Sequence, residues 1–329
     1  MADIINMLCV IDFGSSLTKW AIMDIEKNKP LKYGFINNRD HKTFWCDVLH
    51  LFNKIDFLVK KNKITDKYVL CFSISGDINH KLPSTVLKCD DMKSLMSELF
   101  FTPFNFQDCL KYSSTDIHSV YTVNDSIATA LGISRFCSGF PILVFVLGNS
   151  PKITIITKSN ENSYLIHLTN FHLATIYIEG FLGYSYALND PNCLQGPALS
   201  FLSAEKKCVR IGRALASVLK LYYEEFSDFP GYISIHGGNS IGLDQHLIRK
   251  AFLKYIGSNS SEYFTNATRS MVDDDKFCHF LPIPRSYDEV SRNQFAGACE
   301  YFRLCKDNAS VEIKTVKFNP YWFQIFTDE

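Results

Sequence analysis

An apolar run, a turn of small polar residues and a second apolar run follow one another twice along the chain. The first copy is LCVIDFGSSLTKWAIMD, residues 8–24, and the second is PILVFVLGNSPKITIIT, residues 141–157. Short apolar runs separated by small residues are typical of paired antiparallel strands. The sequence therefore predicts two hairpins, the first built from strands over 7–12 and 18–25. The turn of that hairpin is either a phosphate-binding loop or an ordinary polar tip.

Further strands and helices lie between and after these hairpins, which indicates an α/β protein. Buried strands are predicted over 68–77 and 231–240, and the segment 119–133 begins as a strand and ends as a helix. The periodicity of apolar residues and the acidic starts predict helices over 43–61, 90–100, 204–226, 241–256 and 291–305. We predict a small α/β lobe over 1–122, a large α/β lobe over 123–306, and a tail over 307–329 that packs on the body.

Composition excludes several classes of protein. Lys plus Arg and Asp plus Glu each number 34 in 329 residues, so neither nucleic acid nor an anionic membrane is an expected partner. No apolar run reaches the length of a transmembrane helix, and no secretory signal is recognised at the start. The eleven cysteines show no CxxC spacing, which favours buried thiols in a reducing compartment. A cytoplasmic location is therefore expected.

Six short segments, in order along the chain, resemble motifs of bacterial glucokinase-type sugar kinases. They are IDFGSSLTK (11–19), CFSISGDI (71–78), VNDSIATALG (123–132), VFVLGNSPKITII (144–156), LTNFHLATI (168–176) and YISIHGGNS (232–240). The resemblance implies the two-lobed fold of the actin-like ATPase superfamily, which is ribonuclease H-like and has mixed sheets flanked by helices. The sequence shows no Cys/His zinc cluster of the kind found in the related ROK kinases, which favours the glucokinase branch.

The resemblance also implies a nucleotide site for ATP and Mg²⁺. Asp12 would hold Mg²⁺ through water, and the residues that would lie against phosphate or adenosine are Gly14, Ser15, Ser16, Gly148, Gly237 and Gly238. Small residues suit these roles because backbone N–H groups can approach a phosphate oxygen where no side chain intervenes. The alternative for the first motif is a plain hairpin tip, and for the last a strand-to-helix turn.

The resemblance assigns a second group of residues to the sugar. Asp125 would be the general base that accepts the proton of the attacking hydroxyl, and Asn124 would bond a neighbouring hydroxyl. His172 and Gly76 would line the sugar site. Each has a structural alternative. Asn and Asp at a strand-to-helix junction are common helix caps, a lone histidine in an apolar run is more often a core residue, and Gly76 fits a surface turn.

Two departures from the family pattern leave two functions open. Pro151 interrupts the glycine-rich second phosphate loop and removes an N–H donor, with Lys152 beside it, and Thr169 stands where the family has a sugar-binding glutamate. The first function is ATP-dependent phosphorylation of a hexose, with glucose as the expected acceptor. The alternative is a repurposed pseudoenzyme that binds a sugar, a nucleotide or a protein. A homodimer is a further expectation.

Overall fold

The computed structural model describes residues 7–13, 17–37, 50–51, 53–55, 57–58, 67–74, 116–148, 152–160, 163–169, 202–258, 279–307 and 310–316. The chain divides into two compact units. The first comprises 1–132 and 291–311, and the second comprises 133–290 and 312–329. This division differs from the expected boundary after residue 122, because the segment from 123 to 132 and most of the last long helix belong to the first unit. None of the described helices is long and apolar enough to cross a membrane.

The first unit contains a five-stranded sheet in the order β3-β2-β1-β4-β5. Its strands are β1 (Met7–Phe13), β2 (Leu17–Asp24), β3 (Lys29–Asn37), β4 (Lys67–Ile74) and β5 (Asp116–Asn124). β1 pairs with β2 in antiparallel fashion, as the sequence predicts, and runs parallel to β4, which runs parallel to β5. Parallel strands of this kind are buried on both faces, which explains the continuous apolar run in β1.

Helices cover both faces of this sheet. Within 50–58, Leu51, Ile55 and Leu58 are buried, and the ammonium of Lys54 lies 5.3 Å from the ring centroid of Trp20 on β2. The other face is covered by helix α4 (Tyr287–Lys306). The Nδ2 of Asn28 donates to the carbonyl of Ala296 on α4 at 3.2 Å, and rings of β5 and α4 meet edge to face. The predicted helix over 90–100 lies outside the described residues.

Helix α1 (Asp125–Ser134) follows β5 directly and crosses α4 in backbone contact. A Cβ added to Gly132 would lie 1.8 Å from the carbonyl oxygen of Asn293, and one added to Gly297 would lie 1.6 Å from the carbonyl oxygen of Ala128. Only glycine fits at either position, since no side-chain atom can approach a carbonyl oxygen so closely. These two glycines fix the position of α4, and with it the side chains that α4 carries toward the sheet.

The second unit contains a six-stranded sheet in the order β10-β9-β6-β7-β8-β11. Its strands are β6 (Ile142–Val146), β7 (Lys152–Asn160), β8 (Ser163–Thr169), β9 (Tyr232–His236), β10 (His279–Phe280) and β11 (Ser310–Val316). β6 and β7 form the second predicted hairpin, and β6 runs parallel to β9. Part of the expected C-terminal tail is therefore strand β11.

Two helices complete the core of the second unit. Helix α2 (Ala204–Phe226) has the predicted bounds, and its first turn is capped by Ser203, whose hydroxyl accepts from the amide of Lys206 at 3.3 Å. Helix α3 (Gln245–Ser258) begins later than the predicted 241 because Asp244 caps it, accepting from the amide of His246 at 2.8 Å. Side chains from both helices, including Leu215, Tyr222 and Phe252, pack into one buried cluster with β6 and β9.

Candidate functional site

The parallel strands of the first unit end along one edge of the sheet. The register pairs Asp12 of β1 with Ser73 of β4, and Ser73 with Val123 of β5. Asp125 follows Val123 by two residues, at the first position of α1. Adjacent strands lie about 4.8 Å apart, so β1 and β5 are separated by about 10 Å in the hydrogen-bonding direction. The sheet thus brings Asp12 and Asp125, both predicted site residues, to the same edge.

Asp12 is the centre of a buried polar cluster that we call the Asp12 cluster, made of Asp12, Lys19, Ser73 and Gln294. Its Oδ1 accepts from Ser73 Oγ at 2.7 Å and from Gln294 Nε2 at 2.6 Å. Its Oδ2 accepts from the Lys19 ammonium at 2.7 Å. Because Asp12 is only 2% exposed, these contacts hold its carboxylate in place of water.

The amide of Gln294 connects the remaining members of the cluster. Its Oε1 accepts from Lys19 Nζ at 2.8 Å, while its Nε2 also lies 3.3 Å from Ser73 Oγ. Gln294 reaches the cluster from α4, which crosses α1 one helical turn further on at Gly297. The sequence predicts Asp12 but neither Ser73 nor Gln294. The one signal that singles out Gln294 is its position next to the run of small and apolar residues FAGAC on α4.

The strand-to-helix junction at Asn124 has the geometry of a helix cap. Asn124 is buried, and its Oδ1 accepts from the amide of Ser126 at 2.8 Å. Asp125 is only partly buried, and its Oδ1 accepts from Ser126 Oγ at 3.3 Å. The capping alternative is thus observed for Asn124, whereas the carboxylate of Asp125 contacts the side chain of Ser126. An acid in the first turn also interacts favourably with the helix dipole.

In the second unit, the ends of β6 and β9 are joined by a network of backbone contacts. The amide of Leu147 donates to the carbonyl of His236 at 2.6 Å, and the amide of Asn239 donates to the carbonyl of Leu147 at 3.0 Å. The side chain of Asn239 donates to the carbonyl of Gly148 at 2.7 Å. The two motifs predicted to bind phosphate and adenosine in this unit, around Gly148 and around Gly237, are therefore in direct contact.

Gly237 and Gly238 contribute differently to this turn. Gly237 has φ +106°, and a Cβ there would lie 2.5 Å from the carbonyl oxygen of Leu147. A Cβ on Gly238 would lie 3.2 Å from Cε1 of Tyr287, the exposed aromatic at the start of α4. The backbone conformation and packing thus require glycine at 237. At 238 the absence of a side chain leaves the backbone uncovered next to the ring of Tyr287.

Lys152, which follows Pro151 in the second hairpin, is a buried strand residue. It is the first residue of β7, pairs with Val146 and is 8% exposed. Several predicted site residues lie outside the described residues, namely Gly14, Ser15, Ser16, Gly76 and His172. Within the described parts of the chain, no group of three His, Cys, Asp or Glu side chains is arranged to hold a metal ion.

The surroundings of Asp12 do not fit a magnesium site. Mg²⁺ requires oxygen ligands in near-octahedral geometry and keeps several waters. Asp12 already accepts three hydrogen bonds of the roughly four that a carboxylate can accept. The ammonium of Lys19 already neutralises its charge. We therefore derive no catalytic step through Mg²⁺ bound at Asp12.

Comparison with known proteins gives the class of fold. No protein-family model matches the sequence, and no curated protein matches it. Among solved structures, the glucokinase of Balamuthia mandrillaris in complex with glucose is similar over 91% of this chain and 94% of its own, with TM-score 0.52 and 11% identity.

Two bacterial structures are also similar. A ROK family glucokinase from Streptomyces griseus, in complex with glucose and AMPPNP, matches over 89% of this chain and 98% of its own, with TM-score 0.49 and 13% identity. A ROK family protein from Streptococcus pneumoniae TIGR4, in complex with sucrose, matches over 92% and 99%, with TM-score 0.49 and 14% identity.

The chain has a fold similar to that of the Balamuthia mandrillaris glucokinase. This confirms the predicted fold class of an α/β protein with two mixed sheets flanked by helices. The expectation from the motifs is confirmed as a likeness of fold. At such low identity a shared fold does not determine chemistry, which depends on the side chains of this chain.

Proposed function

We propose that this protein is an ATP-dependent sugar kinase in which Asp125 is the general base and a hexose, first of all glucose, is the acceptor. The observation that carries the proposal is the position of Asp125. It lies at the carboxyl edge of parallel strands, on a helix N-terminus, and the residue is only partly buried. Ligands of open α/β sheets bind outside this edge. The Asp12 cluster lies at the same edge.

The neighbours of Asp125 suit the task of accepting a proton. Ser126 Oγ lies 3.3 Å from Asp125 Oδ1, and Thr129 Oγ1 donates to the main-chain carbonyl of Asp125 at 2.8 Å, which fixes the first turn of α1. A carboxylate held in this way can align a sugar hydroxyl and accept its proton as the phosphoryl group transfers. Oδ1 of Asn124 accepts from the amide of Ser126, which holds this side chain at the start of the same helix.

The nucleotide would use the glycine turn of the second unit. Gly238 presents backbone without a side chain beside the ring of Tyr287, and Asn239 links this turn to Gly148. In this proposal adenosine lies against Gly237 and Gly238, and its phosphates extend toward Gly148. The resemblance gives these two motifs the same roles.

The test is ADP release from Mg-ATP by the purified full chain, with and without a panel of hexoses and amino sugars. We expect release that depends on a sugar and is lost in Asp125→Asn by at least about a hundredfold, the usual contribution of a general base. ADP affinity should stay within a factor of about two, because the change keeps the size of the side chain. Glu300→Gln, on the surface of the same unit, is the matched control.

A second function, that of a pseudoenzyme, is favoured by one feature of the second hairpin. The Leu147 amide already donates to His236, and Pro151 supplies no N–H, so the loop has fewer amides to offer a phosphate than the glycine-rich loop of the family. No ADP release with any sugar, combined with measurable binding of a sugar or of ADP, would support this function and refute the kinase.

A further inference from the structure

We propose that Asp12 positions the ammonium of Lys19 and is not the metal-binding carboxylate of the site, so that Lys19 is the cation which the first hairpin offers to a phosphate group. The second part of this inference rests on the proposed function, because it requires a nucleotide. The first part concerns the protein alone. The resemblance to sugar kinases implies the opposite role for Asp12, and the disagreement comes from its contacts.

Hydrogen-bond donors surround the carboxylate of Asp12. Ser73 and Gln294 occupy Oδ1 at 2.7 and 2.6 Å, and Lys19 occupies Oδ2 at 2.7 Å. A metal ion held through water would need its bound waters to donate hydrogen bonds to this same carboxylate. The three donors leave about one acceptor site on a carboxylate that is only 2% exposed, which is too little for the several waters of a hydrated Mg²⁺ unless Lys19 leaves.

The charges lead to the same conclusion. Asp12 and Lys19 form a neutral pair whose side chains are 3% and 15% exposed. A pair this deeply buried is strongly destabilised when one partner is removed, because the other charge is left without compensation. A divalent ion at Asp12 would also be repelled by the ammonium on the same carboxylate. The pair therefore stabilises an ammonium at this position and excludes a metal ion from it.

Lys19 is held from two directions and retains one donor. Two of its three N–H groups serve Asp12 and Gln294, at 2.7 and 2.8 Å, and the third has no partner among the residues that the structure describes. Lys19 also lies at the end of the hairpin. It pairs with Asp12, and the next pair, Phe13 with Thr18, is the last before the turn. A fixed cation at this point can bind a phosphate oxygen as a point charge.

Gln294 makes the arrangement specific for lysine. Its amide donates to Asp12 and Ser73 through Nε2 and accepts from Lys19 through Oε1, so every contact in the cluster has one donor and one acceptor. A metal ion in place of the ammonium would face this Oε1 and Oδ2 of Asp12, but the remaining ligands would have to be waters in a buried space. The cluster as built is complete with an ammonium.

The first experiment measures the affinity of Mn²⁺, as a probe for Mg²⁺, by electron paramagnetic resonance, for the full chain with and without ADP. Asp12→Asn is compared with wild type and with Asp24→Asn, an acid of the exposed Lys27 ion pair in the same unit. We expect Mn²⁺ affinities within threefold of wild type in all cases. A loss of more than threefold in Asp12→Asn alone, with or without ADP, overturns the assignment.

Asp12→Asn leaves the ammonium of Lys19 buried and can fail to fold. The double variant Asp12→Asn/Lys19→Met removes both charges together and keeps the cluster neutral, so it is the second variant for the same measurement. The criterion is again a threefold change in Mn²⁺ affinity. A cycle of the two single variants and the double should also show coupling of about tenfold in the unfolding equilibrium, as expected for a direct buried pair.

The second experiment measures ADP binding by calorimetry in the presence of EDTA, where no metal can bridge protein and phosphate. We expect Lys19→Met to lower ADP affinity at least tenfold and Lys27→Met, the exposed control, to leave it unchanged. Affinity within threefold of wild type in a folded Lys19→Met overturns the phosphate role of Lys19. Wild-type protein that binds no ADP overturns the proposed function and this role together, while the Mn²⁺ comparison still decides the assignment of Asp12.

Discussion

Replacing Gly297 by alanine tests the packing on which the Asp12 cluster depends. The new Cβ would lie 1.6 Å from the carbonyl oxygen of Ala128 and 2.6 Å from the amide nitrogen of Gly132. Cβ atoms essentially never come within 3.0 Å of another heavy atom, so α4 and α1 must separate by at least 1.4 Å at this point, the difference between the two distances. Gln294, one turn earlier on α4, would move with the helix.

The magnitude follows from two opposing effects. Alanine is favoured over glycine inside a helix by about 1 kcal/mol. Overpacking costs about 1–3 kcal/mol when side chains can adjust, and here both neighbours are backbone atoms that cannot. Loss of the buried hydrogen bonds of Gln294 adds about 1–3 kcal/mol. We expect Gly297→Ala to lower the free energy of unfolding by about 3–5 kcal/mol.

Urea unfolding followed by circular dichroism measures this change, with Arg303→Ala on the exposed side of the same helix as the control. The control should differ from wild type by less than about 0.5 kcal/mol. If Gly297→Ala were as stable as wild type or more so, helix propensity alone would account for it. The backbone contact between α1 and α4 would then be refuted.

Two further predictions concern the second glycine turn and a buried thiol. Gly237→Ala should lower the free energy of unfolding by about 2–4 kcal/mol, because φ is +106° and the backbone of Leu147 is too close for a Cβ. Gly238→Ala should change it by less than about 1 kcal/mol. Thermal unfolding of the two variants tests this difference. Burial raises the pKa of Cys71 well above its ordinary value, so only the unfolded chain releases this proton above about pH 8.5. The free energy of unfolding should therefore fall as pH rises above that point, and less steeply in Cys71→Ala; equal slopes in urea titrations would contradict this.

Much of the fold could be predicted because its central strands carry strong local signals. β1, β4, β6 and β9 are short apolar runs bounded by small or polar residues, and the 23-residue helix α2 is amphipathic and capped. These segments are buried where they are apolar, so sequence pattern and burial coincide. The chain order of the motifs then predicted which family fold connects them.

The elements without a local signal could not be predicted. β3 is an edge strand with Pro30 and Gly34, and most of its described residues are partly or fully exposed, so it lacks the apolar run of a buried strand. Helix α4 begins at Tyr287, whereas the sequence predicts a start at 291. Its first turn is polar and exposed, so the pattern of apolar residues gives no sign of it. The domain boundary depends on α4, whose contacts with the first unit arise from glycines more than 160 residues apart in sequence.

The candidate site also has one part with a local sequence signal and one part without. Asp12 stands in a local motif, but its partners Ser73 and Gln294 lie 61 and 282 residues away. The sequence could indicate that a glutamine among small apolar residues is buried and therefore hydrogen-bonded, but not to which group. A motif identifies a carboxylate, while the surrounding donors determine whether that carboxylate binds a metal or an ammonium. Once Lys19 and Gln294 are seen beside Asp12, the charge of Asp12 is already compensated inside the protein, and any magnesium that the nucleotide brings must find its ligands elsewhere.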